Sequence, residues 1–186
     1  LLPIFYHFDN YFHYPYLKFM AVHLVIDAYN LIGSETGLTG DLEGKRTQLI
    51  QKLRQYHERK SYPITVVFDG WRSGWINEVE ERSGGITVIF SQQGEKADSV
   101  IARLAREMGS GCIVVTSDRE VRRAVEASGA VAIYAGEFSA RLKNLDRDIS
   151  VEDDEEFRGG RDREKKGNPR RLSKSERKRR ERLKKL

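Results

Sequence analysis

Five short apolar runs, rich in β-branched residues, punctuate the chain: Val22–Ile26, Pro63–Phe68, Ile86–Phe90, Cys112–Val115 and Val131–Tyr134. Their positions are apolar throughout rather than alternating. That predicts strands buried on both faces, as in a parallel sheet. Amphipathic stretches lie between them. Leu42–Lys60 places Leu42, Leu49, Leu53 and Tyr56 on one helical face, and Glu95–Met108 turns Ala97, Ile101, Leu104 and Ala105 inward. Ser117 or Asp118 can cap a helix running to about Ser128, and a last helix spans Gly136 to about Leu145. Gly33–Gly40 reads as a loop, and Trp71–Gly85 as a loop or short helix. The alternation predicts a three-layer α/β/α domain over residues 20–148, built on a mainly parallel five-stranded sheet.

The two ends of the chain have a different character. Residues 1–19 hold eight aromatics with no sustained period, and polar residues interrupt them too often for a membrane span. They lack the order of a signal peptide. With Met20 just before the first strand, they are expected to be a non-native or disordered extension. Residues 149–171 read as a charged, disordered linker, and residues 172–186 as a basic helical tail that would form best on a partner. There Ser173 and Glu176 spell a capping box.

Charge divides along the same line. From Phe157 onward the chain carries 15 Lys+Arg and 4 Asp+Glu, against 18 and 24 in the remainder. A basic tail on an acidic globule points to a polyanion, nucleic acid first. Arg170, Arg171, Lys174, Arg177 and Lys178 are its candidate RNA contacts. The lone Cys112, inside an apolar run, suits a buried core position and a reducing cytoplasm.

Candidate chemistry lies at the strand ends. Asp27 closes the first strand and Asp69 the second. Asp118 follows the fourth, and Glu95 with Asp98 opens the preceding helix, three residues apart on one face. In a parallel sheet all five reach the C-terminal edge, where open α/β folds bind ligands. Converging carboxylates repel, and a hard divalent cation relieves that repulsion; Mg²⁺ or Mn²⁺ there suits phosphodiester cleavage. Each acid also has an ordinary structural reading. Asp69 before Gly70 is a turn residue, Asp98 and Glu95 complement a helix dipole, and Asp118 is an N-cap. Asn30 either orients Asp27 or makes an Asx turn, and Ser117 meets a phosphate or caps a helix. Tyr29, Trp71 and Trp75 could stack on unpaired bases, with Arg72 on the backbone; packing explains them equally well. No G-x-G-x-x-G or G-x-x-x-x-G-K-[ST] occurs, which disfavours dinucleotide and P-loop enzymes.

IDAYN after the first strand, VVFDG after the second, EKADSVIARLA and VVTSDREV together resemble the NYN branch of the PIN-like nucleases, and its bacterial YacP-like members most. That group includes a ribosome-associated endoribonuclease that cleaves messenger RNA in the ribosomal A site. The resemblance covers about Val22–Leu145. It implies a PIN-like sheet of order 3-2-1-4-5 and a Mg²⁺- or Mn²⁺-dependent acidic centre. Matched by motif, Asp27 and Asp98 are the leading metal ligands, with Asp118 and Asp69 next, Asn30 supporting, and Glu95 as the acid before the helix aspartate. The basic extension is longer than the family's compact core requires. The expected activity is a cytoplasmic endoribonuclease acting on single-stranded RNA, with the ribosome or its RNA as partner for the tail. The alternative is a non-catalytic RNA- or ribosome-binding module. Nothing in the sequence reads a 2′-hydroxyl, so DNA stays open as substrate.

Overall fold

All five apolar runs become strands, and one further strand joins them. The structure is a computed structural model that describes residues 22–70, 76–151 and 173–186. In chain order its elements are β1 (His23–Asp27), α1 (Ala28–Thr36), α2 (Leu42–Lys60), β2 (Ile64–Phe68), β3 (Val79–Ser83), β4 (Ile86–Phe90), α3 (Ala97–Met108), β5 (Cys112–Val115), α4 (Arg119–Ala127), β6 (Val131–Ile133), α5 (Ala135–Val151) and α6 (Lys174–Lys185). The sheet order is β3-β4-β2-β1-β5-β6. Every pair is parallel except β3 with β4.

The alternation of side chains along each strand divides the interior into two layers. Leu24, Ile26, Val66, Phe68, Ile113 and Val115 face one core, with Leu49, Leu53, Tyr56 and Phe138 from the covering helices. Val25, Val67, Cys112 and Val114 face the other, against Val100, Ile101, Ala105, Val121 and Val125. Burial pushes the Cys112 thiol up to about 12, which leaves it inert. No described helix is long and apolar enough to cross a membrane.

The expected order 3-2-1-4-5 is reproduced by the parallel strands β4-β2-β1-β5-β6. The five-strand count is corrected to six, because part of Trp71–Gly85 is strand β3. Three consecutive charged residues, Glu80 to Arg82, conceal any alternation there. The readable signal was the Gly84–Gly85 pair, whose φ values of 54° and 80° give the two-residue hairpin turn. The loop expected at Gly33–Gly40 is shortened to start at Gly37, its first half being helix α1. α1 starts directly after β1 because Asp27 caps it, and Leu31 and Ile32 fall on its buried side. α5 runs past its expected end, to Val151. Residues 1–19 and most of the linker lie outside the described residues.

The basic tail helix packs on the domain itself. Its capping box is present as read. It packs on the sheet edge beside β6, with Leu186 buried and Leu183 against the same core. Tyr56 Oη donates to the Leu186 carbonyl (3.0 Å) and Tyr62 Oη to that of Lys185 (2.6 Å). Lys178 Nζ donates to the Gly129 carbonyl (2.7 Å), and Arg182 to that of Ser110 (3.2 Å).

Candidate functional site

The chain runs outward from β1 through β2 to β4, then returns to place β5 on the other side of β1. The sheet's switch point therefore lies between β1 and β5, and a crevice opens beyond their C-terminal ends. Asp27 leaves β1 there and Thr116–Asp118 leave β5.

Asp27 is 7% exposed. Its Oδ1 accepts from Asn30 N (3.2 Å) and its Oδ2 from Thr116 Oγ1 (2.8 Å). Burial pushes its pKa up to about 6 against those two hydrogen bonds, and the charges of Asp98 and Asp118 push the same way. Asp118 caps α4, its Oδ1 accepting from Glu120 N (2.7 Å) and Val121 N (3.0 Å). Asp98 lies in the first turn of α3. Its pKa is also raised, by partial burial and then by Asp118, with Asp69 and Glu120 adding to it and Lys96 opposing. Three acids from three elements thus interact across the crevice, and Asp69 at the end of β2 is within their field. Gly70 lets the β2 turn pass close to β4: a Cβ at this position would meet Ser91 O at 1.7 Å. Ser91 Oγ accepts from Gly70 N (3.0 Å) and reaches Glu95 O (2.8 Å) and Asp69 Oδ1 (3.3 Å).

These carboxylates offer hard oxygen donors with mutual repulsion, which suits Mg²⁺ or Mn²⁺. Among the described residues, no three His, Cys, Asp or Glu side chains stand close enough to enclose an ion by themselves. The donor set therefore fits a water-rich site with one or two protein carboxylates, completed by substrate phosphate, the usual manner for Mg²⁺.

Other expected contributors are placed differently. Glu95 precedes α3, whose N-cap is Lys96, so Glu95 and Asp98 do not share a helix face. Asn30 Oδ1 accepts from Ser117 N (2.8 Å), and Ser117 Oγ accepts from Ala135 N (3.2 Å). Both residues tie the crevice walls together, joining α1, the β5–α4 turn and α5. Tyr29 is half-buried. Arg46 Nε donates to its hydroxyl (2.7 Å), and its ring meets Phe68 edge-on at 5.7 Å. Lys178 is engaged with Gly129, whereas Lys174 and Arg177 are exposed. Trp71, Arg72, Trp75, Arg170 and Arg171 lie outside the described residues. Thr116 was not foreseen as a site residue. Its hydroxyl donates to Asp27 while accepting from Asp118 N (3.1 Å), coupling two of the acids. The Thr-Ser-Asp run at the end of β5 was the available signal.

A three-layer sheet of this order, with acids at the switch point, defines the PIN-like class. Within it, the chain belongs to the YacP-like NYN family, whose profile matches residues 24–185. The matched residues take in α6 to its last residue. Two crystal structures of Rae1 (YacP) from Bacillus subtilis are similar to the chain. A Trp-to-Leu mutant is 28% identical, with 68% of this chain and 78% of that chain covered and a TM-score of 0.57. A second structure is 27% identical, with 70% and 78% covered and a TM-score of 0.57. Comparison with curated proteins returns no match.

Proposed function

We propose that the chain is a metal-dependent endoribonuclease that cleaves single-stranded RNA, with messenger RNA on the ribosome as its setting. The supporting observation is the convergence of Asp27, Asp98 and Asp118 at the β1/β5 crevice of a YacP-like NYN domain, where Asp98 and Asp118 raise the cost of ionising Asp27 and Asp118 raises that of ionising Asp98. Asp27 and Asp98 would be the carboxylates that hold Mg²⁺ or Mn²⁺, with Asp118 and Asp69 as further acids around it. When bound, the ion lowers the pKa of a water for attack on the phosphodiester and neutralises the departing oxygen.

The remaining roles belong to the chain's own groups. Thr116 and the Asn30 amide fix the orientation of the Asp27 carboxylate, and Asn30 with Ser117 holds the crevice at one width. Exposed basic residues of α6, Lys174 and Arg177 among them, supply electrostatic affinity for RNA or ribosomal RNA. Because α6 also buries Leu183 and Leu186, deleting it would disturb the core. Exchanging Lys174 and Arg177 for Gln tests the charge alone.

A non-catalytic RNA-binding module is the second reading, favoured by the structural tasks two of the acids perform, Asp27 capping α1 and Asp118 capping α4. Single-stranded RNA incubated with the full chain and Mn²⁺ or Mg²⁺, with and without ribosomes, separates the two. The nuclease reading predicts cleavage that EDTA stops and that Asp27→Asn and Asp98→Asn abolish while sparing RNA binding. Binding without cleavage under every condition would favour the module.

A further inference from the structure

Tyr134 stands out at the same sheet edge. Three large hydrophobic residues are exposed among the described residues, Leu38, Ile76 and Tyr134, and Tyr134 is the aromatic one, at 43% exposure. Its position follows from the strand register. Ile26, Val115 and Ile133 are aligned across β1, β5 and β6. Asp27, Thr116 and Tyr134 each come one residue later, so they form a row. Two strand spacings, roughly 10 Å, separate the first from the last. Hydrogen bonds lock the row. Thr116 N donates to Ile133 O (3.0 Å), and Ala135 N donates to Ser117 Oγ (3.2 Å), on either side of Tyr134.

Two arginines hold the ring. Arg122 from α4 places its guanidinium 3.6 Å from the ring centroid, and Arg179 from α6 lies at 5.0 Å. Arg179 is fixed by Glu137 at 3.2 Å. Arg122 is only loosely paired, with Glu126 at 3.7 Å, and its buried Nη1 has no partner. An exposed aromatic surface backed by arginines, one of them incompletely neutralised, is what unpaired bases and their phosphates prefer.

We propose that Tyr134 is a base-stacking platform for single-stranded RNA, receiving a nucleotide next to the phosphate held at the Asp27 crevice, with Arg122 and Arg179 as positioning residues. This rests on the RNA reading above. It gives α6 a second task, since the tail helix supplies one of the two cations that orient the ring. It also moves the aromatic contact from the half-buried Tyr29 to the opposite side of the crevice.

The test is the affinity of the full chain for a fluorescein-labelled, unstructured RNA oligonucleotide. It is measured by anisotropy in the Asp98→Asn background, so that cleavage does not interfere. Tyr134→Leu should weaken binding about tenfold, as loss of one stacked base does. The salt dependence should not change, because no charge is removed. Tyr134→Trp should restore affinity. Unchanged affinity in Tyr134→Leu, or a loss that Trp does not rescue, would overturn the platform while leaving the nuclease reading intact. If the parent binds no RNA, the platform falls, and cleavage by the wild-type chain decides the nuclease reading separately.

Discussion

Two buried carboxylates on either side of α1 are handled in opposite ways. Glu35, near the end of α1, has a side chain 7% exposed, and it is matched: Lys52 Nζ lies 3.1 Å from one oxygen and Ser139 Oγ donates to the other at 3.0 Å. Asp27, just before α1, is buried too, yet its hydrogen-bond partners are the neutral Thr116 hydroxyl and the Asn30 backbone amide, and its charged neighbours are other acids. Glu35 fastens α1 to α2 and α5. Asp27 carries an electrostatic cost that its own surroundings do not relieve. Burial alone therefore does not single out a candidate acid; burial without a compensating cation is what sets Asp27 apart from Glu35.

That contrast can be broken by substitution. The largest effect is expected at Asp27. Its native pKa of about 6 lies above its ordinary 3.8, so the folded state holds the proton more tightly than the unfolded chain. Stability then falls as pH rises from 3.8 through about 6, and the cost is fully present above that. Two pKa units correspond to about 3 kcal/mol. Without metal at pH 7.5, Asp27→Asn should therefore be more stable than wild type by up to that amount. Thermal melts should show a rise of roughly 2–4 °C per kcal/mol that disappears near the bottom of the pH range. A lower melting temperature at pH 7.5 would mean that the Asp27 charge is compensated after all.

Glu35→Ala should move the other way. It leaves the buried Ser139 hydroxyl unpaired and frees Lys52, at a cost of about 2 kcal/mol in denaturant titrations. Glu35→Gln sharpens the comparison with a smaller effect. It keeps an acceptor for Ser139 and removes only the ion pair with the partly exposed Lys52, for under about 1 kcal/mol.

Sequence legibility followed local chemistry. The parallel strands were readable because each is apolar at nearly every position, and α2 and α3 because their apolar residues recur at helical spacing. β3 was not, since an edge strand buries little and its Glu-Glu-Arg run conceals the pleat. α1 was missed because Gly33 and Ser34 suggested a loop, while the Asp27 cap and the Leu31–Ile32 contacts decide for helix. The acids were legible as strand-end residues. Their convergence at one sheet edge was legible as well; which of them act on one another most strongly was not, because that depends on strand register. Tyr134 and Thr116 were invisible for the same reason: register across β1, β5 and β6 brings them to Asp27, and no local pattern shows it.

One measurement bears most directly on the proposal that Asp27 and its acidic neighbours form a metal site. It is the melting temperature of the metal-free full chain at pH 7.5 as Mn²⁺ is added. Wild type should be stabilised progressively, by about 2.7 kcal/mol at a hundredfold excess over the dissociation constant, with little response in Asp27→Asn and Asp98→Asn. No response in wild type, or the same response in all three proteins, would contradict the account.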